Sequence, residues 1–200
     1  MGAGRRMNDR LSESPAGTIW SIGHSNHPYD AFEALLVAHG IRAVADIRAF
    51  PASRRLPHFN REAMAARLEA SGIVYQWIPA LGGRRQRVRA DSPHRAWTVA
   101  AFRHYADHME TEEFARGLDV LMAIARERPT AFLCAEALYW RCHRRLVADK
   151  LKHLGWRVRH IRTTEAAVEH EFPAFLRIDG GRLVYDGESD DPQQGRLPLS

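Results

Sequence analysis

Residues 130–154 read TAFLCAEALYWRCHRRLVADKLKHL and carry the clearest structural signal in the chain. Residues 130–133 are apolar and favour a β-strand. Between Cys142 and Leu154, apolar side chains recur at helical spacing, which predicts a helix with Leu154 on its apolar face. A strand that leads into a helix is the unit of open α/β sheets, which bind their ligands at the carboxyl ends of the strands.

The same alternation of strand and helix patterns extends over most of the chain. The predicted strands are residues 18–22, 41–47, 73–78, 131–134 and 158–161. Further helices are predicted after Asp30, after the capping residue Asn60, and near residues 97–108 and 112–126. We therefore predict one α/β domain over residues 17–185, with a mostly parallel sheet of about five strands in a Rossmann-like, three-layer arrangement. Residues 1–16 and 186–200 are predicted to be a disordered amino-terminal tail and a flexible carboxyl-terminal tail.

The composition restricts the class of protein. Two hundred residues with 45% hydrophobic content are enough for one sizeable core. No apolar run reaches the roughly 20 residues that span a bilayer, and the first residues lack the apolar stretch of a signal peptide. We therefore expect no membrane partner and a cytoplasmic location, where both cysteines are thiols.

The basic residues are almost entirely arginine, since only Lys150 and Lys152 of the 29 are lysine. Guanidinium groups bind phosphate and carboxylate through paired hydrogen bonds, so an arginine-rich chain with a net charge of +5 suits an anion-binding protein. The partner would be an anionic small molecule or a nucleic acid. A GC-rich genome produces the same bias without any function, and the charge permits an anionic partner without requiring one.

Polar and reactive side chains follow four of the predicted strands. They are His24 and Ser25 after the first strand, residues 46–48 after the second, residues 82–85 shortly after the third, and Cys134 and Glu136 after the fourth. Parallel strands end at the same edge of a sheet, so these four sets predict one composite site.

Two basic segments offer anion-binding groups. Arg48, Ser53 and Arg55 resemble an anion-binding loop, although a salt bridge between Asp46 and Arg48 at the strand end explains the first of them equally simply. Residues 82–89 combine two glycines with four arginines, which fits a lid over an anion, a groove for a nucleic acid backbone, or a solvated run of charge. The nearby aromatic residues either stack on bases or belong to the core; they are Tyr75, Trp77 and Trp97.

The two cysteines allow three interpretations. Either thiol would be reactive if the neighbouring arginines and a helix amino terminus lower its pKa, and Cys134 is the better candidate nucleophile. Both could instead be buried apolar residues, with Cys142 on the face of Leu146. A zinc site formed by Cys134, Cys142 and His143, with His24 as a fourth ligand, is the third interpretation, but no paired Cys-x-x-Cys spacing supports it and we assign no metal ligand.

Several motifs together resemble the domain of unknown function 488 family. They are residues 21–25, 46–55, 59–60, 72–75, 81–85, 133–136 and 142–144, in the order in which the family has them. The resemblance extends from about residue 18 to residue 161. This prokaryotic family has no assigned reaction, so the resemblance supports the fold and the site and supplies no substrate. The family residues carried onto this chain are His24, Ser25, Asp46, Arg48, Pro51, Ser53, Arg55, Gly82, Gly83, Cys134, Glu136, Cys142, His143 and Arg144.

The sequence favours an enzyme that acts on a phosphorylated or nucleotide-like anion, with a nucleic-acid-binding module without catalysis as the alternative. The predicted catalytic residues are Cys134 as nucleophile, Glu136 or His24 for proton transfer, and Asp46. The predicted substrate-binding residues are Ser25, Arg48, Ser53, Arg55, Gly82, Gly83, Arg84, His143 and Arg144. The sequence specifies no cofactor.

Overall fold

A computed structural model describes residues 16–85 and 89–188. Its strands are β1 (Gly17–Gly23), β2 (Ala43–Asp46), β3 (Val74–Trp77), β4 (Thr130–Cys134), β5 (Trp156–Ile161), β6 (Ala167–Glu169), β7 (Leu176–Asp179) and β8 (Arg182–Tyr185). Its α-helices are α1 (Tyr29–Ala38), α2 (Arg61–Ala70), α3 (Ala100–His108), α4 (Glu112–Glu127) and α5 (Arg144–His153). None of the helices in this part of the chain has the length and apolar character needed to cross a membrane.

Six strands form one sheet in the order β3-β2-β4-β1-β5-β6, and β7 pairs with β8 in a separate hairpin. All pairings among β1 to β5 are parallel, and β6 adds an antiparallel edge strand. The central strands are buried on both sides, as parallel strands covered by helices are. The predicted α/β class and the mostly parallel, three-layer sheet are confirmed.

Two separate cores cover the two faces of this sheet. On the first face, α1 and α2 contribute Phe32, Leu36, Met64 and Leu68. On the second face, α3, α4 and α5 contribute Phe102, Phe114, Leu121, Leu146 and Leu151, and the hairpin adds Leu183 and Tyr185. Each helix therefore presents one apolar stripe to the sheet, which is the usual way for an amphipathic helix to be held in an α/β domain.

The chain leaves the neighbouring strands β1 and β4 in opposite directions. After β1 it forms α1 on the first face and continues to β2 and β3 on one side of the sheet. After β4 it forms α5 on the second face and continues to β5 on the other side. In open α/β sheets, ligands bind where two adjacent connections diverge in this way.

Some local predictions are corrected by the structure. The sheet has a sixth strand, and the hairpin of β7 and β8 follows it; the sequence analysis identified neither. The last predicted helix begins at Arg144 instead of Cys142, and Leu154 lies beyond its end with 42% exposure, off the buried face. Asn60 precedes α2 as predicted, but its side chain accepts a hydrogen bond from the Ser53 backbone N–H and does not cap the helix.

The predicted tails fall mostly outside the described residues. Residues 1–15 and 189–200 are not described, and neither is Arg87 of the basic segment. The first residues of the predicted carboxyl-terminal tail are described, and Asp186 among them forms an ion pair with Arg177 of β7 at 2.7 Å.

Candidate functional site

The carboxyl ends of β1, β4 and β2 lie side by side, and they bring the predicted catalytic residues to one edge of the sheet. Gly23 of β1 pairs with Cys134 of β4, and Asp46 of β2 pairs with Leu133. The pairing continues beyond the strands, because the His24 N–H donates to the Cys134 carbonyl at 3.0 Å. His24, Asp46 and Cys134 are therefore neighbours along this edge.

The register divides these side chains between the two faces of the sheet. Paired residues of neighbouring strands point to the same face and successive residues point to opposite faces. Asp46 pairs with Leu133, a member of the first-face core, so Cys134, one residue further, faces the second core together with Phe132. The predicted composite site consequently consists of two clusters, one on each face.

The Asp46 cluster lies on the first face and comprises His24, Asp46, Arg48 and Tyr75. The Asp46 carboxylate accepts hydrogen bonds from Arg48 Nε at 2.9 Å, Arg48 Nη2 at 2.6 Å and the Tyr75 hydroxyl at 2.6 Å. Asp46 is fully buried and Arg48 is 6% exposed. The salt bridge considered for this strand end is therefore present, and it occupies most of the guanidinium that was predicted to bind an anion.

His24 is held as a neutral imidazole in the Asp46 cluster. Its Nδ1 donates to the Ser25 carbonyl at 2.8 Å, which leaves Nε2 to accept from Arg48 Nη1 at 3.2 Å. The ring stacks on Phe59 with centroids 4.2 Å apart. Burial, reinforced by the charge of Arg48, lowers the pKa of His24 to about 4. Both ring nitrogens are thus engaged, which makes His24 a weak acceptor of a substrate proton at neutral pH.

The thiol cluster lies on the second face and comprises Cys134, Cys142 and His143. The Nδ1 atom of His143 is 3.5 Å from the sulfur of Cys142 and 3.9 Å from that of Cys134. The three donor atoms lie within 4.8 Å of one another. Cys142 is buried in front of α5, whereas Cys134 at the end of β4 is partly exposed. Cys142 is therefore the more enclosed residue of the pair.

A hydrogen bond between the two faces fixes the tautomer of His143. Its Nε2 lies 3.1 Å from the carbonyl oxygen of Ile47, the residue between Asp46 and Arg48. A carbonyl can only accept, so Nε2 carries the proton and the lone pair of Nδ1 faces the sulfurs. This bond joins the thiol cluster to the strand that carries the Asp46 cluster.

The two thiols differ in acidity as well as in exposure. The pKa of Cys134 is raised, first by its hydrogen bond with Cys142 and then by burial. Burial also raises the pKa of Cys142, but the hydrogen bond from Cys134 and the neighbouring His143 and Arg144 outweigh it and lower that pKa. Cys134, the predicted nucleophile, is thus the thiol that keeps its proton to higher pH, and Cys142 is the more acidic of the two.

Arg144 shapes the loop that leads from Cys134 to α5. It is 1% exposed, and it donates to the carbonyl oxygens of Glu136 and Ala137 and to the Ser21 hydroxyl at 3.1 Å. The loop also crosses β1 closely, because a Cβ atom at Gly23 would overlap the Glu136 carbonyl. All of these partners are neutral oxygens, so the positive charge of Arg144 is not cancelled by a direct ion pair.

The other predicted site residues take different positions. Gly83 lies against the His143 ring and Gly82 against Ala49, both so closely that a Cβ atom would overlap its neighbour. Glu136 is half-buried and accepts from the Leu138 N–H at 3.2 Å. Ser25 and Ser53 have partners in their own loops, the second accepting from Leu56. Arg55 and Arg84 are exposed.

A comparison with protein-family models identifies the family of this chain. Residues 28–151 match the family model described as Domain of unknown function DUF488. The chain belongs to the DUF488 family. The match contains the whole thiol cluster and all of the Asp46 cluster except His24. Comparisons with curated proteins and with solved structures find no match.

The basic segment of this DUF488 protein is largely tied to its own surface in the described residues. Arg85 donates to the Ala80 carbonyl at 2.9 Å and pairs with Glu113 at 3.3 Å, and Arg89 pairs with Glu110 at 3.1 Å. Trp97, one of the aromatic residues considered for base stacking, is completely buried in the second-face core. These contacts favour a structural role for much of the segment.

A buried histidine network is the main polar feature that the sequence analysis missed. Its hydrogen bonds connect Ser21 Oγ to His160 Nδ1 (2.9 Å), His160 Nε2 to His170 Nδ1 (3.0 Å) and His170 Nε2 to Asp149 Oδ1 (2.8 Å). Both histidines lie beyond the residues matched by the DUF488 model. The available signal was the alternation of β5, which places His160 two residues after the buried Val158 and so on the same core face.

Proposed function

We propose that this DUF488 protein is an enzyme that acts on a phosphorylated or nucleotide-like anion at the carboxyl edge of its sheet. One observation carries the proposal: the thiol cluster lies at the end of β4, beside the strand β1 from which the chain departs to the opposite face. Reactive groups at such a point of divergence are typical of α/β enzymes. The cytoplasm, where thiols stay reduced, is the compartment in which the proposal places the enzyme.

The charge of this edge supports an anionic substrate. Arg144 is buried in the first turn of α5 with neutral hydrogen-bond partners, so its charge adds to the positive end of the helix dipole. Arg55 and Arg84, in the loops that follow β2 and β3, are exposed and supply guanidinium groups that can contact an anion directly. Arg48 contributes less, because its guanidinium is paired with Asp46.

The thiol cluster is the proposed reactive centre. Cys134 is the less buried of the two cysteine residues, and the Nδ1 atom of His143 lies 3.9 Å from its sulfur. Of the two groups predicted for proton transfer, Glu136 is the better placed, since its carboxylate is only half-buried. His24 instead positions Arg48 on the first face.

A nucleic-acid-binding module without catalysis is the weaker alternative. It requires free guanidinium groups along a groove and exposed aromatic rings for stacking. In the described residues Arg85 and Arg89 have acidic partners and Trp97 lies in the core. Nothing specific in the geometry of this face favours that alternative.

The proposal is tested by thermal stability in the presence of pyrophosphate, nucleoside monophosphates, sugar phosphates and a short oligonucleotide. A ligand at about one hundred times its dissociation constant should raise the melting temperature by roughly 5–10 °C. Replacing both Arg55 and Arg84 by Gln should weaken binding at least about tenfold, because two direct contacts to the anion are lost.

Arg42 provides the matched control for this experiment, because it is exposed just before β2, at the opposite edge of the sheet. Arg42→Gln should bind the anion as the wild type does. The proposal fails if no small anion shifts the melting temperature, or if both variants bind equally well. Retention of the oligonucleotide alone, decreasing with salt, would favour the nucleic-acid module.

A further inference from the structure

Three potential metal ligands of the thiol cluster surround one point at the carboxyl end of β4. They are the sulfurs of Cys134 and Cys142 and the Nδ1 atom of His143. Two thiolates and one imidazole form a donor set that zinc prefers, and three protein ligands with one open position are typical of catalytic zinc sites. We propose that this cluster binds a divalent zinc-type ion, with the fourth coordination position open to the substrate.

The distances within the cluster fit a tetrahedral ion. With zinc bonds of about 2.3 Å to sulfur and 2.0 Å to nitrogen, ligand atoms at tetrahedral angles lie about 3.6 Å apart. The Nδ1 atom of His143 is 3.5 Å from one sulfur and 3.9 Å from the other. The two sulfurs lie within 4.8 Å of each other, so bringing them to the roughly 3.8 Å of a tetrahedral site needs a movement of at most about 1 Å.

The imidazole is already oriented as a ligand. A histidine that binds a metal through one nitrogen almost always donates the N–H of the other to a carbonyl or carboxylate. His143 does so through Nε2, which donates to Ile47 at 3.1 Å. Gly83 lies against one side of the ring, and Tyr105 contacts it with centroids 5.0 Å apart. The Nδ1 lone pair is thereby directed at the two sulfurs.

The loss of protons balances the binding step. Cys134 and Cys142 each form a sulfur–metal bond as thiolates, and any proton still on either sulfur passes to the solvent, so a dipositive ion and two thiolates give a neutral site. The neighbouring Arg144, whose hydrogen bonds go to neutral oxygens, favours the thiolate form of both ligands. Each bound ion should consequently release at most two protons.

His24 is excluded as the fourth ligand that the sequence analysis considered. It lies on the first face, where Ser25 and Arg48 occupy its two nitrogens. Cys134 is the less buried of the two cysteines, so a fourth ligand would approach the ion from its side of the cluster. An oxygen of the substrate anion, or a water, would complete the tetrahedron; this use of the site rests on the proposed function, whereas metal binding itself does not.

Metal content and cobalt absorption test the proposal on the full chain. Protein purified under reducing conditions should contain about one equivalent of zinc, and the chelated protein should bind Co²⁺ with thiolate-to-metal charge-transfer absorption. Cys134→Ser, Cys142→Ser and His143→Gln should each lower metal affinity at least about tenfold. His24→Gln, a change at the same edge but on the other face, should retain the ion.

The controls separate a lost ligand from a lost fold. Circular dichroism of each metal-free variant should match that of the metal-free wild type. Protein that contains no metal and shows no cobalt band, or that binds metal equally in all four variants, would contradict the proposal. Metal-free protein with a disulfide between the two cysteines, detected by mass before and after reduction, would show a redox pair instead.

The outcome is separable from that of the proposed function. Zinc content and cobalt absorption are measured without any substrate, whereas the role of Arg55 and Arg84 is measured by anion binding. Metal binding without a response to any anion would leave the zinc site standing and contradict the enzyme proposal. Anion binding by protein that takes up no metal would support the enzyme proposal and contradict the zinc site.

Discussion

The thiol cluster and the histidine network lie on the same face of the sheet, the first just before α5 and the second with Asp149 in α5, yet their polar atoms are satisfied to very different degrees. The network is closed: Asp149 accepts from His170 at one oxygen and from the Tyr185 hydroxyl at the other, at 2.8 Å and 2.9 Å. In the thiol cluster, two sulfurs converge on the single lone pair of His143 Nδ1.

The hydrogen-bond directions explain how the network can be buried. Arg144 donates a hydrogen bond to the Ser21 hydroxyl, which in turn donates to His160. With each histidine donating through Nε2, His160 donates to His170 and His170 donates to Asp149. In this arrangement each imidazole uses both of its ring nitrogens. A network in which the hydrogen-bonding groups are paired stabilises the fold. The thiol cluster has fewer partners than it could use, so it keeps the capacity to bind a ligand.

The largest loss of stability should come from removing the acceptor at the end of the histidine network. Asp149→Ala removes the acceptor of two buried donors, His170 and Tyr185, so the free energy of unfolding should fall by about 3–5 kcal/mol. Urea denaturation measures this change. Asp119→Ala, on the exposed side of α4, should change it by less than about 0.5 kcal/mol. Equal effects would mean that the network adds no stability.

A smaller effect should appear in the pH dependence of stability. Burial, followed by the nearby His170, Arg144 and Arg145, lowers the pKa of His160 to about 2. The unfolded state binds this proton below about pH 6.5 and the folded state does not, so the contribution is complete above that pH and decreases as the pH falls. Between pH 7.5 and 5 the loss should be about 2 kcal/mol.

His160→Gln isolates this contribution from those of the other histidines. The variant should be less stable than the wild type at pH 7.5, but its stability should decrease less between pH 7.5 and 5. Urea titrations at the two pH values give the comparison. Parallel decreases in the two proteins would show that His160 takes up its proton in the folded state.

The smallest effect on stability should come from the open cluster. Cys134 is partly exposed and its sulfur makes weak hydrogen bonds, so Cys134→Ser in metal-free protein should cost less than about 1 kcal/mol. The same variant should lose most of its affinity for metal. If Cys134→Ser instead lowers the free energy of unfolding about as much as Asp149→Ala does, the thiol cluster is a structural element and not a binding site.

Much of the fold was predictable because the central strands are short and strongly apolar. All four residues of β2 are buried, and such runs between helical patterns indicate a parallel sheet. The hairpin of β7 and β8 was missed because β7 has little apolar pattern: three of its four residues are exposed, and Arg177 holds it through ion pairs with Asp179 and Asp186.

That the candidate residues meet at one edge of the sheet was also predictable, but their division between its two faces was not. The alternation within each strand is visible in the sequence, whereas the register between strands is not. The pairing of Asp46 with Leu133 sends Asp46 and Cys134 to opposite faces, and a shift of one residue would have united them. The hydrogen-bond partners of Arg48 and Arg144 were unpredictable for the same reason, because the register between strands determines which acceptors lie close to each guanidinium group.

The insertion of β4 between β1 and β2 has a consequence for synthesis on the ribosome. The strands made first, β1 and β2, do not pair with each other, and β1 finds its parallel partners only in β4 and β5. Until residues 130–161 have emerged, the growing chain carries β1 without either neighbour, an exposed apolar edge of the kind that chaperones bind. The centre of the sheet, with both clusters at its edge, is therefore assembled only after β2 and β3 have been made.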